Sequence, residues 1–306
     1  DAHKLVQFIT PRDVSICDKG KCYHILLTGE DGGIINDAVL LRLADDQFWV
    51  SPGDGDVLLW IEGVAVNSGM DVEVFEPDVS PLQMGGPKSP HVMRELFGDL
   101  AIDLGYYRAE QTEVNGIPLV LGRTGWSGEI SYELYLQDGS RGNELWELVE
   151  KAGEKYNIKP AAPQLIRSIE GELLSFASDI SRQDNPYTID MGRLVHLDRE
   201  DDFIGKEALI KINKEGVKRK LVGIEIEGDA INAPPEHLWP VIDSNNKIGH
   251  VTRCIFSPRL KKNIGFANVP VDYSGIGTNF EISSPKGMLK ASVCNKPWFP
   301  AEIKIS

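Results

Sequence analysis

"GRTGWSGEISYELYL", residues 122–136, reads as a glycine-rich turn that runs into a β-strand. Apolar side chains then recur at every second position and fall on one face of the strand: Ile130, Tyr132, Leu134 and Leu136. The opposite face receives Glu129, Ser131, Glu133 and Tyr135. The pattern predicts a half-buried strand and leaves two interpretations of Glu133. It is either a carboxylate on the wet side of a sheet or a carboxylate that faces a ligand.

The composition is that of a globular protein, since 42% of the 306 residues are hydrophobic and 25% are charged. A chain of this length predicts about two or three domains. The net charge of −14 argues against nucleic acid and against an anionic membrane surface as partners. No apolar run approaches the ~20 residues that a membrane-spanning helix needs. The charge says nothing specific about small ligands, although it would not repel a cationic substrate, and we expect a cytoplasmic protein.

The four cysteines predict neither a disulfide framework nor a metal site. Cys17 and Cys22 lie close together, but no second pair at metal-ligand spacing follows, and the six histidines are scattered. Reduced thiols in a cytosolic protein are the simpler interpretation. The chain begins at Asp1, directly in a helix-like segment, and we expect that residues precede it.

Short strands and amphipathic helices alternate over the first 216 residues. Residues 22–52 predict three strands, and helices are predicted at 53–65, 89–100, 142–156, 163–176 and 205–216. In the second of these helices Ser89 is the predicted N-cap and Pro90 the first helical residue, while Pro163 begins the fourth. From about residue 217 short strands with Gly, Pro and Asn turns predict a separate all-β module.

Asp37 is the most informative carboxylate in the chain. Strand alternation in "GGIINDAVLLRL" puts it on the same face as Ile35, Val39 and Leu41, where a charge is costly unless it is paired or functional. The alternative is that the strand begins after Asp37 and leaves it in a turn. Trp49 and Ser51 share one face of the next predicted strand and point the same way as Asp37 if the two strands form a hairpin, although a tryptophan there is more often core than ligand platform.

The glycine-rich segments do not match known phosphate-binding or nucleophile motifs. "GEDGG" and "SPGDGD" are acidic and lack a following Lys-Ser or Lys-Thr, and "GRTGWSGE" lacks the G-x-S-x-G spacing. What remains is a set of carboxylates and aromatic residues. A carboxylate binds a flat heterocycle with adjacent N–H donors through two parallel charge-assisted hydrogen bonds. A reduced pterin is one ligand with such an edge, among several.

The order of "GGIINDAVL", "FWVS", "GRTGWSGEISYE", "DFIGKEAL", "RKLVGIEIEG" and "IGHVTRCIFSPRLKKNIGFANVP" resembles the tetrahydrofolate-dependent aminomethyltransferase family, which contains the glycine cleavage T-protein. The resemblance covers nearly the whole chain. It implies an α+β fold, a three-domain ring with a C-terminal all-β domain, and tetrahydrofolate as the methyl acceptor. The implied domains are 1–105 carrying Asp37, 106–216 carrying Glu133 as the remainder of a discontinuous first domain, and 217–306 as a β-barrel-like domain.

The resemblance also implies roles for individual residues. Asp37 matches the family's key acidic residue beside the reactive folate nitrogens and is the predicted catalytic residue, while Asn36 stands where the family has another Asp. Glu133 matches the Glu that holds the pterin. The other predicted cofactor-binding residues are Trp126, Trp49, Ser51 and Tyr132.

The departures from the family pattern favour one branch of it. Where members often carry A-A-R-D-S-L-R this chain has "AAPQLIR", so Pro163 replaces a folate-contacting Arg and Arg167 keeps the later basic position. Another family Arg is Asn232 here. The segment "RSIEGELLSFASDISRQDNPYTIDMGRLVHLD" and the Trp in "GRTGWSGE" look closer to the branch that demethylates dimethylsulfoniopropionate. The alternatives are a glycine-cleavage aminomethyltransferase and a non-catalytic folate-binding accessory protein, although the K-G-C-Y/F-x-G-Q motif of the latter is absent from this sequence.

The predicted reaction is methyl transfer from a sulfonium to N5 of tetrahydrofolate. Aromatic faces suit the sulfonium cation, and Trp126, Trp49 and Phe176 are the candidates. Arg167 is the predicted substrate-binding cation, with Arg193 and Lys206 as alternatives for the substrate carboxylate. No metal is predicted, and a homodimer is left open.

Overall fold

The computed structural model describes residues 1–162 and 164–305. Its first layer is a three-stranded antiparallel sheet in the order β1-β2-β3, covered on one face by two helices. The three strands predicted for residues 22–52 are confirmed. The elements are α1 (Ala2–Ile9), β1 (Cys22–Thr28), β2 (Ile34–Arg42), β3 (Phe48–Pro52) and α2 (Leu58–Ser68).

Alternation along β1 and β2 decides which side chains reach these helices. Tyr23, Ile25 and Leu27 pack with Ala38 and Leu40 against the apolar faces of α1 and α2. The intervening residues of both strands point to the opposite face of the sheet, and that face carries Asp37.

A second sheet, of four strands in the order β4-β7-β6-β5, lies against the first. Its helices pack over the face that holds Tyr132, Leu134 and Leu136. Its elements are β4 (Ser80–Gly85), α3 (Ser89–Phe97), α4 (Leu100–Asp103), β5 (Ala109–Val114), β6 (Ile117–Gly122), β7 (Ser131–Leu136) and α5 (Gly142–Gly153).

The predicted start of α3 needs correction, and the predicted boundary at 105/106 can be compared with the strand pairing. Lys88, not Ser89, precedes the first helical residue of α3; the Ser89 hydroxyl instead donates to the Ile130 carbonyl at 2.9 Å, and Pro90 is the second helical residue. The predicted boundary at 105/106 does not coincide with the packing, because β4 pairs with β7 and α3 contributes Val92 and Met93 to the core of the second sheet.

The last third of the chain is a closed six-stranded barrel, as predicted, in the order β10-β11-β8-β13-β12-β9.

The predicted helix at 163–176 is much shorter, because it ends before Gly171 and Glu172 has a left-handed φ of 56°. Pro163 lies outside the described residues. The elements are α6 (Leu165–Glu170), α7 (Lys206–Glu215), β8 (Arg219–Ile226), β9 (Trp239–Asp243), β10 (Asn246–Ser257), β11 (Lys262–Pro270), β12 (Asn279–Ser284) and β13 (Gly287–Cys294).

The parts of the fold share buried surface. Leu26 and Ile34 of the first sheet pack in one cluster with Ile169 of α6 and Phe266 of the barrel. At the corner between the two sheets the Cys22 amide donates to the Tyr107 carbonyl at 2.9 Å. Within the described ranges, no helix has the length and apolar character that crossing a bilayer requires.

A buried ion pair joins the segment after α6 to the barrel. Arg253 of β10 pairs with Asp179, whose carboxylate also accepts from the Thr252 hydroxyl at 2.7 Å and from the Ser175 amide at 3.1 Å. The side chain of Arg253 is 8% exposed and that of Asp179 is 0% exposed. Burial raises the pKa of Asp179 even though Arg253 opposes that shift. The ionised form of Asp179 is therefore stabilised by Arg253.

Replacing Arg253 with Met should lower the free energy of unfolding by ~3–5 kcal/mol, because it strands a buried carboxylate without its cation. Urea denaturation measures the change. Arg94→Met is the matched control, since Arg94 pairs with Asp99 on the surface at 2.8 Å with both side chains more than half exposed, and such pairs contribute only about 0–1 kcal/mol. Equal losses in the two variants would contradict this interpretation.

Candidate functional site

The inner face of the first sheet carries Asp37 in the middle of β2, not in a turn. In the strand register Val39 lies opposite His24 on β1 and opposite Ser51 on β3, while Leu41 lies opposite Trp49. Side chains two residues apart on a strand share a face, so His24, Trp49 and Ser51 lie on the same face as Asp37. The hairpin geometry on which the sequence interpretation of Trp49 and Ser51 depended is thus present.

His24 is the direct partner of Asp37. Its Nε2 lies 3.1 Å from the Asp37 Oδ2, and both side chains remain about one-fifth exposed, at 23% and 20%. Sequence reasoning missed His24 because the histidines are scattered along the chain. The two-residue alternation of β1, read with the register of the β1–β2 hairpin, was the signal that could have found it.

Asn36 is buried and organises the loop after β3. Its amide nitrogen donates to the Asp54 carbonyl at 2.8 Å. A Cβ added to Gly55 would lie 3.1 Å from that nitrogen and 3.9 Å from Phe176, so the loop approaches both side chains closely. The Ser175 hydroxyl donates to the Asp54 carboxylate at 2.5 Å. Phe176 packs against the buried cluster that contains Leu26, and Leu26 lies opposite Asp37 in the strand register.

Glu133 points out of β7 on the face opposite its core. Its Oε2 accepts hydrogen bonds from the Tyr135 hydroxyl at 3.0 Å and from the Thr124 hydroxyl. Gly122 lies opposite Glu133 on β6, where a Cβ would come within 3.1 Å of the Thr124 hydroxyl and 3.3 Å of the Tyr135 ring. Burial, with the Glu133 charge as a second cause, raises the pKa of Tyr135, so its hydroxyl stays protonated and donates.

The faces that carry Asp37 and Glu133 are turned toward each other. Trp49 of the first sheet contacts Tyr135 of the second edge-to-face, with ring centroids 6.0 Å apart. Cys22 and Leu41 from the first sheet and Val120 from the second belong to the same buried cluster. Of the two interpretations of Glu133, the geometry excludes a carboxylate on an outer wet surface.

The turn before β7, which carries the half-buried Trp126, is held from two sides. Arg167 of α6 pairs with Glu129, and the C-terminal segment bonds to the turn through the Glu302 amide and the Gly128 carbonyl at 2.9 Å. Gly125 has φ 154°, and a Cβ there would lie 2.0 Å from the Ser131 hydroxyl. This turn, residues 123–130, is called the motif loop below.

Two of the predicted binding residues already make contacts within the protein. Tyr132 is 0% exposed and its hydroxyl donates to the Ala101 carbonyl at 2.9 Å, so it lies in the core on the face opposite Glu133 and lacks the surface that a ligand contact requires. Arg167, predicted to bind substrate, is already neutralised by Glu129 and lies 3.6 Å from Glu170. It fixes the motif loop to α6.

Replacing Arg167 with Met should lower the free energy of unfolding by ~1–3 kcal/mol, since the partly buried Glu129 loses its charged partner. The same change should speed amide hydrogen exchange in the motif loop more than elsewhere. Exchange mass spectrometry measures this. Unchanged exchange at residues 123–130 would show that the loop does not depend on this ion pair.

Two protein-family models match this chain. The GCVT N-terminal domain matches residues 1–199, and the Glycine cleavage T-protein C-terminal barrel domain matches residues 219–300. The chain therefore belongs to the glycine cleavage T-protein family. Members of this family use tetrahydrofolate as a substrate or co-substrate.

Individual relatives divide between two activities. Dimethylsulfoniopropionate demethylase of Ruegeria pomeroyi is 33% identical over 298 residues, which cover 97% of this chain and 81% of that protein. An aminomethyltransferase of Clostridium botulinum (strain 657 / Type Ba4) is also 33% identical, over 99% of this chain and 83% of that protein. The fold matches the crystal structure of glycine cleavage system aminomethyltransferase T from Bartonella henselae, with a TM-score of 0.84 at 20% identity over 98% of this chain and 82% of that one. The family and the α+β fold that the sequence motifs implied are thereby confirmed.

Proposed function

We propose that this protein moves a methyl group from dimethylsulfoniopropionate to N5 of tetrahydrofolate, giving 5-methyltetrahydrofolate and 3-methylthiopropionate. The observation that carries the proposal is the pair of carboxylates, Asp37 and Glu133, on facing sheets of a folate-dependent transferase fold. Similarity to the Ruegeria demethylase over nearly the whole chain supports the choice of donor.

Glu133 suits the pterin edge because its carboxylate is oriented before the ligand arrives. Both donors, Thr124 and Tyr135, bond to Oε2, and among the described residues none bonds to Oε1. Oε1 and the remaining lone pair of Oε2 can then accept the 2-amino and ring N–H groups of a reduced pterin. Trp49, through its contact with Tyr135, and Trp126, in the motif loop, are proposed as the aromatic walls of the same site.

Asp37 suits the reacting nitrogen. In the transfer the S–CH₃ bond breaks, the sulfide leaves with the bonding electrons, and a new bond forms from N5 to the methyl carbon. Positive charge disappears at sulfur and appears at N5, which then releases its proton to water. A carboxylate beside that nitrogen stabilises the developing charge, and His24 holds the carboxylate in place. Ser51 lies on the same face and can orient the ligand.

Aromatic faces suit the sulfonium cation. Each aromatic face can contribute ~0.5–2 kcal/mol to binding a cation. Trp49, Trp126 and Phe176 are the proposed faces, and Phe176 packs against the cluster of Leu26, which lies opposite Asp37 in the strand register. The main contribution of the protein is alignment of the donor methyl with the nitrogen lone pair.

Incubation of the protein with tetrahydrofolate and dimethylsulfoniopropionate tests the proposal. Formation of 5-methyltetrahydrofolate with an equal amount of 3-methylthiopropionate is the expected result. The equal identity to the Clostridium aminomethyltransferase supports a second candidate, transfer from a lipoyl-bound aminomethyl donor to give 5,10-methylenetetrahydrofolate and ammonia. Activity with that donor alone would replace the proposal, and folate binding without transfer from either donor would indicate an accessory protein.

A further inference from the structure

The imidazole of His24 is the ionisable group that contacts the Asp37 carboxylate. Its Nε2 lies 3.1 Å from the Asp37 Oδ2. In the part of the chain that the structure describes, the Asp37 Oδ1 and the His24 Nδ1 have no hydrogen-bond partner. The pair is thus joined at one contact, and the second carboxylate oxygen is available to a ligand.

The Asp37–His24 pair lies where the first sheet meets the other parts of the molecule. On the same face of β1, Cys22 packs in the cluster shared with the second sheet, and Leu26 packs in the cluster shared with α6 and the barrel. His24 lies between these two residues and opposite Val39 of β2. Both side chains of the pair remain about one-fifth exposed, at 23% and 20%, so the charge of His24 can follow the pH of the solution.

Other ionisable groups lie near the pair, but none of those in the described ranges bonds to the imidazole. The Arg12 guanidinium reaches only the His24 main-chain carbonyl, at 2.6 Å, and lies over Tyr23 on the helix-covered side of the sheet. Burial raises the pKa of Cys22 to about 12 and also raises the pKa of Tyr107, so both stay neutral. Between pH 5 and 8, histidine is the side chain that ordinarily changes its charge. The remaining groups on the neighbouring elements are Asp54 after β3, Glu133 and Tyr135 on β7, and Arg193 in the 3-10 helix Gly192–Leu194.

Resting on the function proposed above, we propose that His24 makes methyl transfer pH-dependent, because its imidazolium form cancels the charge of Asp37. With a neutral imidazole the pair carries a single negative charge, and Asp37 stabilises the positive charge that develops at N5. With an imidazolium the pair is neutral overall, and its attraction falls both for the sulfonium donor and for the charged nitrogen. His24 acts on the reaction through Asp37 and is a positioning residue of this site.

The test measures kcat/KM for dimethylsulfoniopropionate, at saturating tetrahydrofolate, in the wild type and in His24→Gln as a function of pH. Glutamine keeps an amide that can bond to Asp37 but carries no charge at any pH. The ratio of the variant to the wild type should rise about 10-fold between about pH 8 and about pH 5.5, because only the wild type forms the imidazolium. Protonation of either substrate affects both proteins equally and cancels in this ratio. His91→Gln is the matched control, since His91 stacks on Tyr156 at 5.6 Å on the exposed side of α3, and its ratio to the wild type should stay constant.

A permanent cation at the same position gives a second reading. His24→Lys should have a low kcat/KM over the whole pH range, without the rise toward alkaline pH that the wild type shows. A ratio of His24→Gln to wild type that does not change with pH would assign His24 a purely structural role and overturn the inference, as would wild-type activity of His24→Lys at about pH 8. Wild-type enzyme that forms no 5-methyltetrahydrofolate from dimethylsulfoniopropionate at any pH would instead refute the proposed function, and this inference with it.

Discussion

Replacement of Asp37 by Ala should reduce kcat about 10³-fold, which corresponds to ~4 kcal/mol of lost transition-state stabilisation. The reason is that positive charge appears on the folate nitrogen during transfer, and Asp37 is the proposed carboxylate beside it. The folate affinity should change little, because the pterin edge is bound elsewhere. Single-turnover measurement of methyl transfer gives the rate of the chemical step directly.

Two comparisons sharpen this prediction. Asp37→Asn keeps the shape of the side chain and its contact with His24 but removes the charge, so it should lose nearly as much activity as the alanine variant. Asp45→Ala removes an acid whose side chain is 98% exposed and should retain full activity. If Asp37→Asn kept most of the wild-type rate, the carboxylate charge would not contribute to the reaction.

Glu133→Ala should weaken tetrahydrofolate binding about 30- to 300-fold, because two charge-assisted hydrogen bonds to the pterin are lost. The rate at saturating folate should fall much less, since this contact is made equally before and during transfer. Titration calorimetry with tetrahydrofolate measures the affinity. Unchanged affinity would show that the pterin is not held by Glu133.

Matched variants separate binding from folding in that experiment. Glu133→Gln keeps an oxygen that can accept from Thr124 and Tyr135, so it should preserve stability while losing the charge that holds the pterin. Glu110→Ala removes an exposed carboxylate from β5 of the same sheet and should leave folate affinity unchanged. A loss of affinity in Glu110→Ala would indicate a general electrostatic effect.

Most of what the sequence could predict came from the two-residue alternation of side-chain direction along the strands. The two-residue period identified Asp37 as a carboxylate on an inner face and paired it correctly with Trp49 and Ser51, because strand geometry fixes side-chain direction from the chain alone. The same rule put Tyr132 and Glu133 on opposite faces of β7, and assigning both to the ligand was inconsistent with it. The core position of Tyr132 was therefore readable from the sequence.

Contacts between distant segments could not be predicted in this way. The His24–Asp37 contact and the Arg167–Glu129 pair depend on strand register and on the packing of α6, which no local pattern encodes. The predicted boundary at 105/106 has a related basis, because it was drawn without knowledge of strand pairing. The pairing of β4 with β7 joins residues about 50 positions apart, and nothing in either strand identifies its partner.

The contact between the motif loop and the C-terminal segment also has a consequence for biosynthesis. Arg123 donates to the Ile303 carbonyl at 2.9 Å, across 180 positions of sequence. At ~5–20 residues per second, the ribosome would deliver the second partner roughly 10 to 40 seconds after the first. Until then the loop lacks its final support. A nascent chain is therefore expected to bind tetrahydrofolate tightly only when its translation is nearly complete.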